Sequence, residues 1–138
     1  MVIVKKGQRK LIVMDGRKKL AEFTIALGSN PIGHKKQEGD GRTPEGTYTL
    51  SSKNSGSKYY KSIRVSYPNS ADRAQAARRG VSPGGDIYIH GSPNNLSMIP
   101  GGMMKMVDWT EGCIAISNSE MDILWKLIKP GTKIKIDP

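Results

Sequence analysis

The sequence has a single cysteine, Cys113, so an internal disulfide is impossible. It also has no run of about 18 apolar residues, the length that a membrane-spanning helix needs. The opening stretch from Met1 to Lys6 is too short for the apolar core of a signal peptide. We therefore expect either an intracellular protein or a numbering that begins after a removed export segment.

Aromatic residues are also scarce, with one Phe, two Trp and five Tyr among 138 residues. Basic residues are abundant, because Lys and Arg outnumber Asp and Glu by 22 to 12. Such a surface favours anionic partners such as nucleic acid, anionic lipid or bacterial cell-wall polymer. Since proteins bind single-stranded nucleic acid through aromatic stacking platforms, we expect no nucleic-acid partner. The length predicts one domain, residues 1–138, and we expect a monomer.

Sixteen glycines and eight prolines indicate many turns between short elements, which favours a mainly β fold with one or two short helices. The pair Asp15-Gly16 predicts a hairpin between two strand-like runs. Alternation in the second run places four apolar residues on the core face: Ala21, Phe23, Ile25 and Leu27.

Later segments predict a long loop, further strands and two helices. The loop spans 28–46, a polar turn spans 54–58, and strands are expected at 47–50, 63–67, 86–90 and 134–136. Helices are expected at 70–79 and after the capping box that joins Ser117 to Glu120. The second helix should bury four residues: Met121, Leu124, Trp125 and Ile128. Four methionines should fill gaps beneath a loop: Met98, Met103, Met104 and Met106.

Cys113 directly follows Gly112 and precedes an apolar run, a placement that suits reaction better than packing. His90, one of only two histidines, ends a predicted strand. Because Ile87 and Ile89 share one face of that strand, His90 should face the open side. A neighbouring imidazole raises the thiolate share by accepting the thiol proton.

Gly112 has no side chain, so the backbone N–H groups around it could approach a carbonyl oxygen as an oxyanion hole. Two other interpretations of Cys113 and His90 stay open. Cys113 could pack in the core while His90 merely ends a strand. Alternatively, His34, His90 and Cys113 could hold zinc with a carboxylate such as Asp108, although no two of them have short ligand spacing. We expect no metal and no cofactor.

Four blocks of the sequence carry a family resemblance. The pattern His90-Gly91, a glycine-rich interval and Thr110-x-Gly112-Cys113-Ile114 resembles the signature of the L,D-transpeptidase catalytic domain, the ErfK/YbiS/YcfS/YnhG or YkuD-like family. The blocks Gly41–Tyr48 and Ser66–Asn69 resemble the same family, in the same order. The likeness runs from about the first hairpin to the C-terminus.

The resemblance implies a single-domain β-sandwich-like fold and an enzyme of bacterial peptidoglycan in the periplasm or cell envelope. Cys113 would attack a stem tetrapeptide, release its terminal D-alanine and hold the acyl group as a thioester. An amine of a neighbouring stem peptide would then form a 3→3 cross-link. His90 would take the thiol proton, and the main-chain carbonyl of Gly91 would orient the imidazole. The alternatives are an L,D-carboxypeptidase or another peptidoglycan hydrolase of the same fold, and a non-catalytic wall-binding module.

Two departures from the family pattern affect substrate binding. Ala115 stands where the family often has Arg, so we expect Arg42 or a lysine to meet the substrate carboxylate instead. Thr110 and Glu111 stand where the family often has Ser or His-Gly. Asp108 and Trp109 should shape the cleft wall, although a structural role for Trp109 is equally compatible. The predicted substrate-binding residues are therefore Thr110, Glu111, Asp108, Trp109 and Arg42.

Overall fold

A computed structural model describes residues 1–92 and 108–138. Within these ranges the chain forms eight strands and two helices. The strands are β1 (Val2–Lys5), β2 (Lys10–Asp15), β3 (Lys18–Thr24), β4 (Gly46–Ser57), β5 (Tyr60–Val65), β6 (Tyr88–His90), β7 (Ile114–Ala115) and β8 (Thr132–Asp137). The helices are α1 (Ser70–Arg78) and α2 (Asn118–Leu127). Neither helix is long and apolar enough to cross a bilayer. The four loop methionines lie outside the described residues.

The strands belong to one sheet in the order β3-β2-β1-β8-β4-β5-β6-β7. Neighbouring strands are antiparallel except in the β1–β8 and β6–β7 pairs, which are parallel. The sheet curls far enough for Ala115, on the last strand, to exchange backbone hydrogen bonds with Ala26, just after β3. The predicted mainly β fold with two short helices is confirmed.

The core follows the alternation that the strand sequences predict. Val2 and Val4 of β1 are buried beside Ile134 and Ile136 of β8, their partners in the parallel register. The predicted Asp15-Gly16 hairpin is present, and Gly16 has a positive φ of 60°. Of the four residues predicted for the core face after it, Phe23, Ile25 and Leu27 are buried and Ala21 is partly buried.

Helix α2 begins at the predicted capping box, in which Ser117 and Glu120 bond each other's backbone N–H groups. It buries Met121 and Leu124 against the sheet. Trp125 is only partly buried, and the ammonium groups of Lys53 and Lys61 lie 5.1 and 5.4 Å from its ring. The prediction that this tryptophan is a core residue is therefore wrong in part, because one side of the ring contacts cations.

The predicted polar turn at residues 54–58 is instead mostly strand, since β4 continues to Ser57 and pairs with Tyr60. Pairing with β5 satisfies the backbone of this polar run, and register shifts absorb its irregularity. The β4–β5 turn is therefore at Lys58 and Tyr59.

The long loop between β3 and β4 is held against the sheet by a buried lysine. Lys6 donates hydrogen bonds to the carbonyls of Gly33 and Thr43 and forms an ion pair with Glu45 at 3.1 Å. Gly28 packs so closely on the carbonyl of Gly41 that any Cβ at Gly28 would collide with it. The loop is thereby fixed beneath the segment that carries Cys113.

Candidate active site

A cleft of about 840 Å³ contains both predicted catalytic side chains, Cys113 and His90. The parallel pairing of β6 with β7 brings them there, since it sets His90 opposite Ala115 and Ile89 opposite Ile114. Cys113 directly precedes β7 and therefore lies beside Tyr88, at the start of β6. The sheet thus joins two segments that lie 23 positions apart in the sequence.

The His90 ring is oriented by the residue that follows it. Its Nδ1 lies 2.7 Å from the carbonyl oxygen of Gly91. A carbonyl can only accept, so Nδ1 carries the hydrogen and the lone pair of the neutral ring is on Nε2. A Cβ at Gly91 would collide with Oδ1 of Asn118, which accepts a hydrogen bond from the Ser92 N–H. Only glycine fits this position without displacing Asn118.

Aromatic rings cover His90, which is only 3% exposed. Tyr59 stacks on the imidazole with ring centroids 4.3 Å apart, and Trp109 approaches it edge-on at 5.5 Å. This burial lowers the pKa of His90 to about 4, although its hydrogen bond to Gly91 opposes the shift. The expectation of an open side is corrected here, because Tyr59 covers a strand face that alternation alone leaves exposed. Sequence reasoning missed Tyr59, for which no spacing signal exists.

The Cys113 thiol is held by the backbone of the segment leading into β6. Sγ donates to the carbonyl of Asp86 at 3.2 Å and accepts from the N–H of Tyr88 at 3.4 Å. Burial raises the pKa of the thiol to about 11, and the hydrogen bond from Tyr88 opposes that shift. In the described part of the chain no hydrogen bond joins Sγ to His90, so a neutral thiol and a neutral imidazole share the cleft.

Thr110 shapes the turn that leads to Cys113. Its hydroxyl donates to the Cys113 carbonyl at 2.7 Å and accepts from the Gly112 N–H at 3.1 Å. Gly112 has φ of +140°, and a Cβ there would lie 2.7 Å from the Arg42 carbonyl oxygen. The Gly112 N–H, predicted as an oxyanion donor, is thus engaged within the turn. The Cys113 N–H has no backbone partner within residues 1–92 and 108–138.

Two predicted substrate-binding residues lie outside the cleft lining. Asp108 forms an ion pair with Arg9 at 2.7 Å and accepts the Leu27 N–H at 3.0 Å, so its carboxylate serves the fold. Arg42 turns its guanidinium toward Gly33, and its buried Nε has no partner among the described residues. These positions correct the predictions for both side chains.

Trp109 and Glu111 line the cleft, as expected for substrate contacts. Thr110 also borders it, but the hydroxyl of this buried residue is occupied by the turn. Ala115, which stands where the family often has Arg, is only 2% exposed, because it pairs with Ala26 at this point of the sheet. Its side chain position is therefore buried in the curled sheet.

His34 lies in a different environment from His90. Its Nδ1 accepts from the Glu45 N–H at 2.8 Å, and its Nε2 lies 2.8 Å from a carboxylate oxygen of Asp72. Residues 1–92 and 108–138 contain no group of three His, Cys, Asp or Glu side chains arranged to hold a metal ion. The zinc arrangement considered from the sequence is therefore not assembled by these residues.

The charged residues of the cleft differ from those of the chain as a whole. Within residues 1–92 and 108–138 two lysines line it, and Lys35 is already paired with Asp40 at 2.9 Å. Lys58 is exposed. Three carboxylates also line the cleft: Glu38, Asp86 and Glu111. Although the protein has a net charge of +10, the described residues that line the cleft with Cys113 include more acidic than basic side chains.

Known proteins resemble this chain over nearly its whole length. A family model described as the YkuD L,D-transpeptidase catalytic domain matches residues 1–136. The protein YafK of Escherichia coli K12, whose name assigns it provisionally to the L,D-transpeptidases, is 27% identical over 128 residues. That alignment covers 86% of this chain and 44% of YafK.

Solved structures show the same fold. Pgp2 of Campylobacter jejuni, described as a helical cell shape determining protein, superposes with a TM-score of 0.75 at 30% identity, covering 99% of this chain and 46% of Pgp2. Bd1075 of Bdellovibrio bacteriovorus superposes with a TM-score of 0.67 at 27% identity, covering 99% and 47%. An L,D-transpeptidase of Mycobacterium smegmatis shares the fold at 15% identity, with a TM-score of 0.64 and coverage of 99% and 58%. The chain spans about half the length of YafK, Pgp2 and Bd1075.

Proposed function

The chain belongs to the YkuD family of L,D-transpeptidase catalytic domains, and from that premise we propose that residues 1–138 form a cysteine-dependent acyltransferase acting on peptidoglycan stem peptides in the cell envelope. One observation carries the proposal. Cys113 and His90 open onto the same cleft, and the bond from Nδ1 of His90 to Gly91 leaves Nε2 as the acceptor. A thiol and a correctly oriented neutral base are the groups that thioester chemistry requires.

The first step is transfer of the thiol proton from Cys113 to Nε2 of His90. With a pKa of about 4, the imidazole is unprotonated near neutral pH and ready to accept it. The resulting imidazolium keeps its Nδ1–H on the Gly91 carbonyl, which stabilises the positive charge. The proton transfer therefore accompanies attack, because the free thiol, with a pKa of about 11, is not ionised beforehand.

In this same step Sγ attacks the carbonyl of the third residue of a stem tetrapeptide, and the bond to D-alanine then breaks. The imidazolium of His90 returns its proton to the departing amine, so that D-alanine leaves and a thioester remains on Cys113. An acceptor amine then attacks the thioester and loses a proton to His90, and His90 gives that proton to the sulfur as the C–S bond breaks, which regenerates the thiol. Transfer to the amine of a neighbouring stem gives the 3→3 cross-link.

The negative charge on the attacked carbonyl oxygen needs a hydrogen-bond donor. We assign this task to the Cys113 N–H, since the Gly112 N–H is bonded to Thr110. Gly112 contributes by its conformation, because its positive φ and the adjacent Arg42 carbonyl exclude a side chain. Thr110 supports the same turn and is a positioning residue in this proposal.

Substrate carboxylates need a cation that is free to bind them. Lys58 is exposed on the cleft lining, whereas Lys35 is neutralised by Asp40 and Arg42 lies elsewhere. We therefore assign carboxylate recognition to Lys58, in the place of the arginine that many family members carry at the position of Ala115. Trp109 and Glu111 complete the proposed contacts, with Glu111 close to the nucleophile in sequence.

The proposal is tested by incubating the protein with a disaccharide-tetrapeptide, with and without an acceptor amine, and analysing products by mass spectrometry. We expect loss of D-alanine, a thioester adduct on Cys113 and a cross-linked product when the acceptor is present. The matched control, Cys113→Ala, should give none of these while keeping the wild-type circular dichroism spectrum. Unchanged substrate together with an intact, folded thiol protein would refute the proposal.

Product analysis separates transpeptidase from carboxypeptidase activity, and a measurement of peptidoglycan binding identifies a non-catalytic module. A product that forms at the same rate without an acceptor, and carries water in its place, identifies an L,D-carboxypeptidase. Equal binding of peptidoglycan by wild type and Cys113→Ala, with no turnover by either, identifies a wall-binding module. The likeness to Pgp2 supports a contribution to cell shape under either catalytic outcome, because both change the cross-linking or the stem length of the wall.

A further inference from the structure

The hydrogen of the Cys113 thiol has a partner other than His90. A thiol has one hydrogen, and in this structure it is donated to the Asp86 carbonyl at 3.2 Å. It cannot be donated to Nε2 of His90 at the same time. The nucleophile and its base therefore share a cleft without sharing that hydrogen.

The backbone of Asp86 adopts an unusual conformation that serves this contact. Its φ is +55°, a left-handed value that non-glycine residues seldom adopt, although Asp and Asn tolerate it better than most. The residue follows Gly84 and Gly85 and directly precedes the run that becomes β6. In this conformation the Asp86 carbonyl meets Sγ, while the N–H of Tyr88 approaches the same sulfur. Two main-chain groups thus fix the sulfur.

The Asp86 side chain acts on the same sulfur through its charge. One carboxylate oxygen accepts a hydrogen bond from the Tyr88 hydroxyl at 3.3 Å, and both residues line the cleft. The carboxylate raises the pKa of Cys113 more than that of Glu111 does, and Lys35 opposes both. The remaining titratable groups of the lining, as far as the structure describes it, are His90, Glu38, Lys58 and the hydroxyls of Tyr59 and Tyr88.

We infer that Asp86 is a positioning residue that holds Cys113 as a protonated thiol in the free protein, its carbonyl binding the S–H while the residue itself lines the same cleft. The thiol ionises when its hydrogen leaves the Asp86 carbonyl for Nε2 of His90. Before that transfer, the cleft protects the sulfur from electrophiles that react with thiolates. The inference rests on the proposed function only in taking Cys113 as the nucleophile.

The test measures the rate at which iodoacetamide alkylates Cys113 across a range of pH, for the whole chain and for Asp86→Asn. Asparagine keeps the shape, the tolerance of positive φ and an acceptor for Tyr88, but it removes the charge. Removing a negative charge beside a thiolate lowers the thiol pKa. We therefore expect the alkylation profile to move to lower pH and the rate at about pH 8 to rise about 3- to 10-fold.

Two further variants make the test specific. Asp86→Gly also removes the charge and accepts a φ of +55°, so it should move the profile in the same direction even if the asparagine variant folds poorly. Glu111→Gln removes a cleft carboxylate with a weaker influence on Cys113 and should move it less. A profile that stays in place or moves to higher pH in both Asp86 variants would overturn the inference. A shift as large in Glu111→Gln would also overturn it.

Alkylation requires no peptidoglycan, so the two claims fail separately. If Asp86→Asn shifts the profile while wild type leaves the stem peptide untouched, the inference stands and the proposed function is refuted. If wild type releases D-alanine while neither Asp86 variant shifts the profile, the proposed function stands and Asp86 does not hold the thiol.

Discussion

The two histidines of the chain lie in regions that use the same side chain in opposite ways. Both ring nitrogens of His34 form hydrogen bonds within the protein. Nδ1 accepts from the Glu45 N–H, and Nε2 donates to Asp72. His90 bonds the Gly91 carbonyl through Nδ1, its Nε2 has no hydrogen-bond partner among the described residues, and the ring borders the cleft. A fully bonded imidazole stabilises a loop, whereas one with a free nitrogen can exchange a proton with a neighbour.

The surroundings of the two rings differ in the same sense. The Asp72 carboxylate bonds the His34 ring, the Tyr48 hydroxyl at 2.7 Å and the N–H of Asn69. These contacts tie the long loop to the start of α1. Burial, together with the hydrogen bond to Asp72, raises the pKa of Tyr48. In the cleft, burial beneath Tyr59 keeps His90 neutral, and no carboxylate bonds to its ring in the described part of the chain. The first region is a structural network, whereas in the second Nε2 of His90 accepts no hydrogen bond from residues 1–92 or 108–138.

The largest expected effect comes from replacing each histidine by glutamine. His90→Gln keeps a polar side chain of similar size but removes the base. We expect the release of D-alanine from a stem tetrapeptide to fall by about 10²- to 10⁴-fold, the usual contribution of general acid–base catalysis. His34→Gln should retain activity per folded molecule close to wild type. The measurement is initial rate at equal concentrations of folded protein.

An equal loss of activity in His90→Gln and His34→Gln would contradict the proposed difference between the two histidines. That result would mean that His34 contributes to the cleft through the loop, in which its neighbour Lys35 lines the site. Retained activity in His90→Gln would instead remove the base from the mechanism. Circular dichroism of both variants shows whether a loss of rate reflects a loss of fold.

The second prediction concerns stability, which should depend more on His34 than on His90. Glutamine at position 34 cannot satisfy both the Glu45 N–H and Asp72 in the geometry of the imidazole, so a buried or half-buried group loses its partner. We expect the free energy of unfolding to fall by about 1–3 kcal/mol. His90→Gln should lose less, since its amide can still donate to the Gly91 carbonyl. Urea denaturation at neutral pH compares the two, and a larger loss at position 90 would contradict this ranking.

Much of the fold could be predicted because the signals are local. Alternation predicts the buried faces of the strands, Asp15-Gly16 predicts the hairpin, and the Ser117 capping box predicts the start of α2. The polar run of residues 54–57 defeats this reasoning because pairing with β5 stabilises it as a strand. Tertiary pairing there outweighs the local preference for a turn.

In the candidate site, too, local sequence signals could be used for prediction, whereas long-range contacts could not. That Cys113 and His90 line one cleft could be anticipated because ordered sequence blocks carry both residues. Asp108 could not be placed, since its partner Arg9 is 99 positions away and nothing near Asp108 indicates it. Tyr59 was missed for the same reason, because its stacking on His90 depends on where the β4–β5 turn falls. Long-range contacts between single side chains leave no periodic trace in a sequence.

The smallest expected effect concerns the aromatic cover of His90. Tyr59→Leu removes the stacked ring and readmits water, so the pKa of His90 should rise from about 4 toward its ordinary 6.5. We expect the acid limb of the kcat/KM profile to move to higher pH, which lowers activity at about pH 5 several-fold and leaves it unchanged at about pH 8. Tyr59→Phe keeps the ring and should keep the wild-type profile.

Stability should report the same change by an independent route. Between pH 6.5 and about 4 the unfolded chain binds a proton at His90 and the folded chain does not, so wild-type stability falls as pH falls through that window. Tyr59→Leu brings the folded pKa closer to the unfolded one and should flatten this dependence, while Tyr59→Phe and the His34→Gln variant retain it. Thermal unfolding followed across this range checks the prediction. An equally steep dependence in Tyr59→Leu would show that the stacked ring is not what keeps His90 neutral.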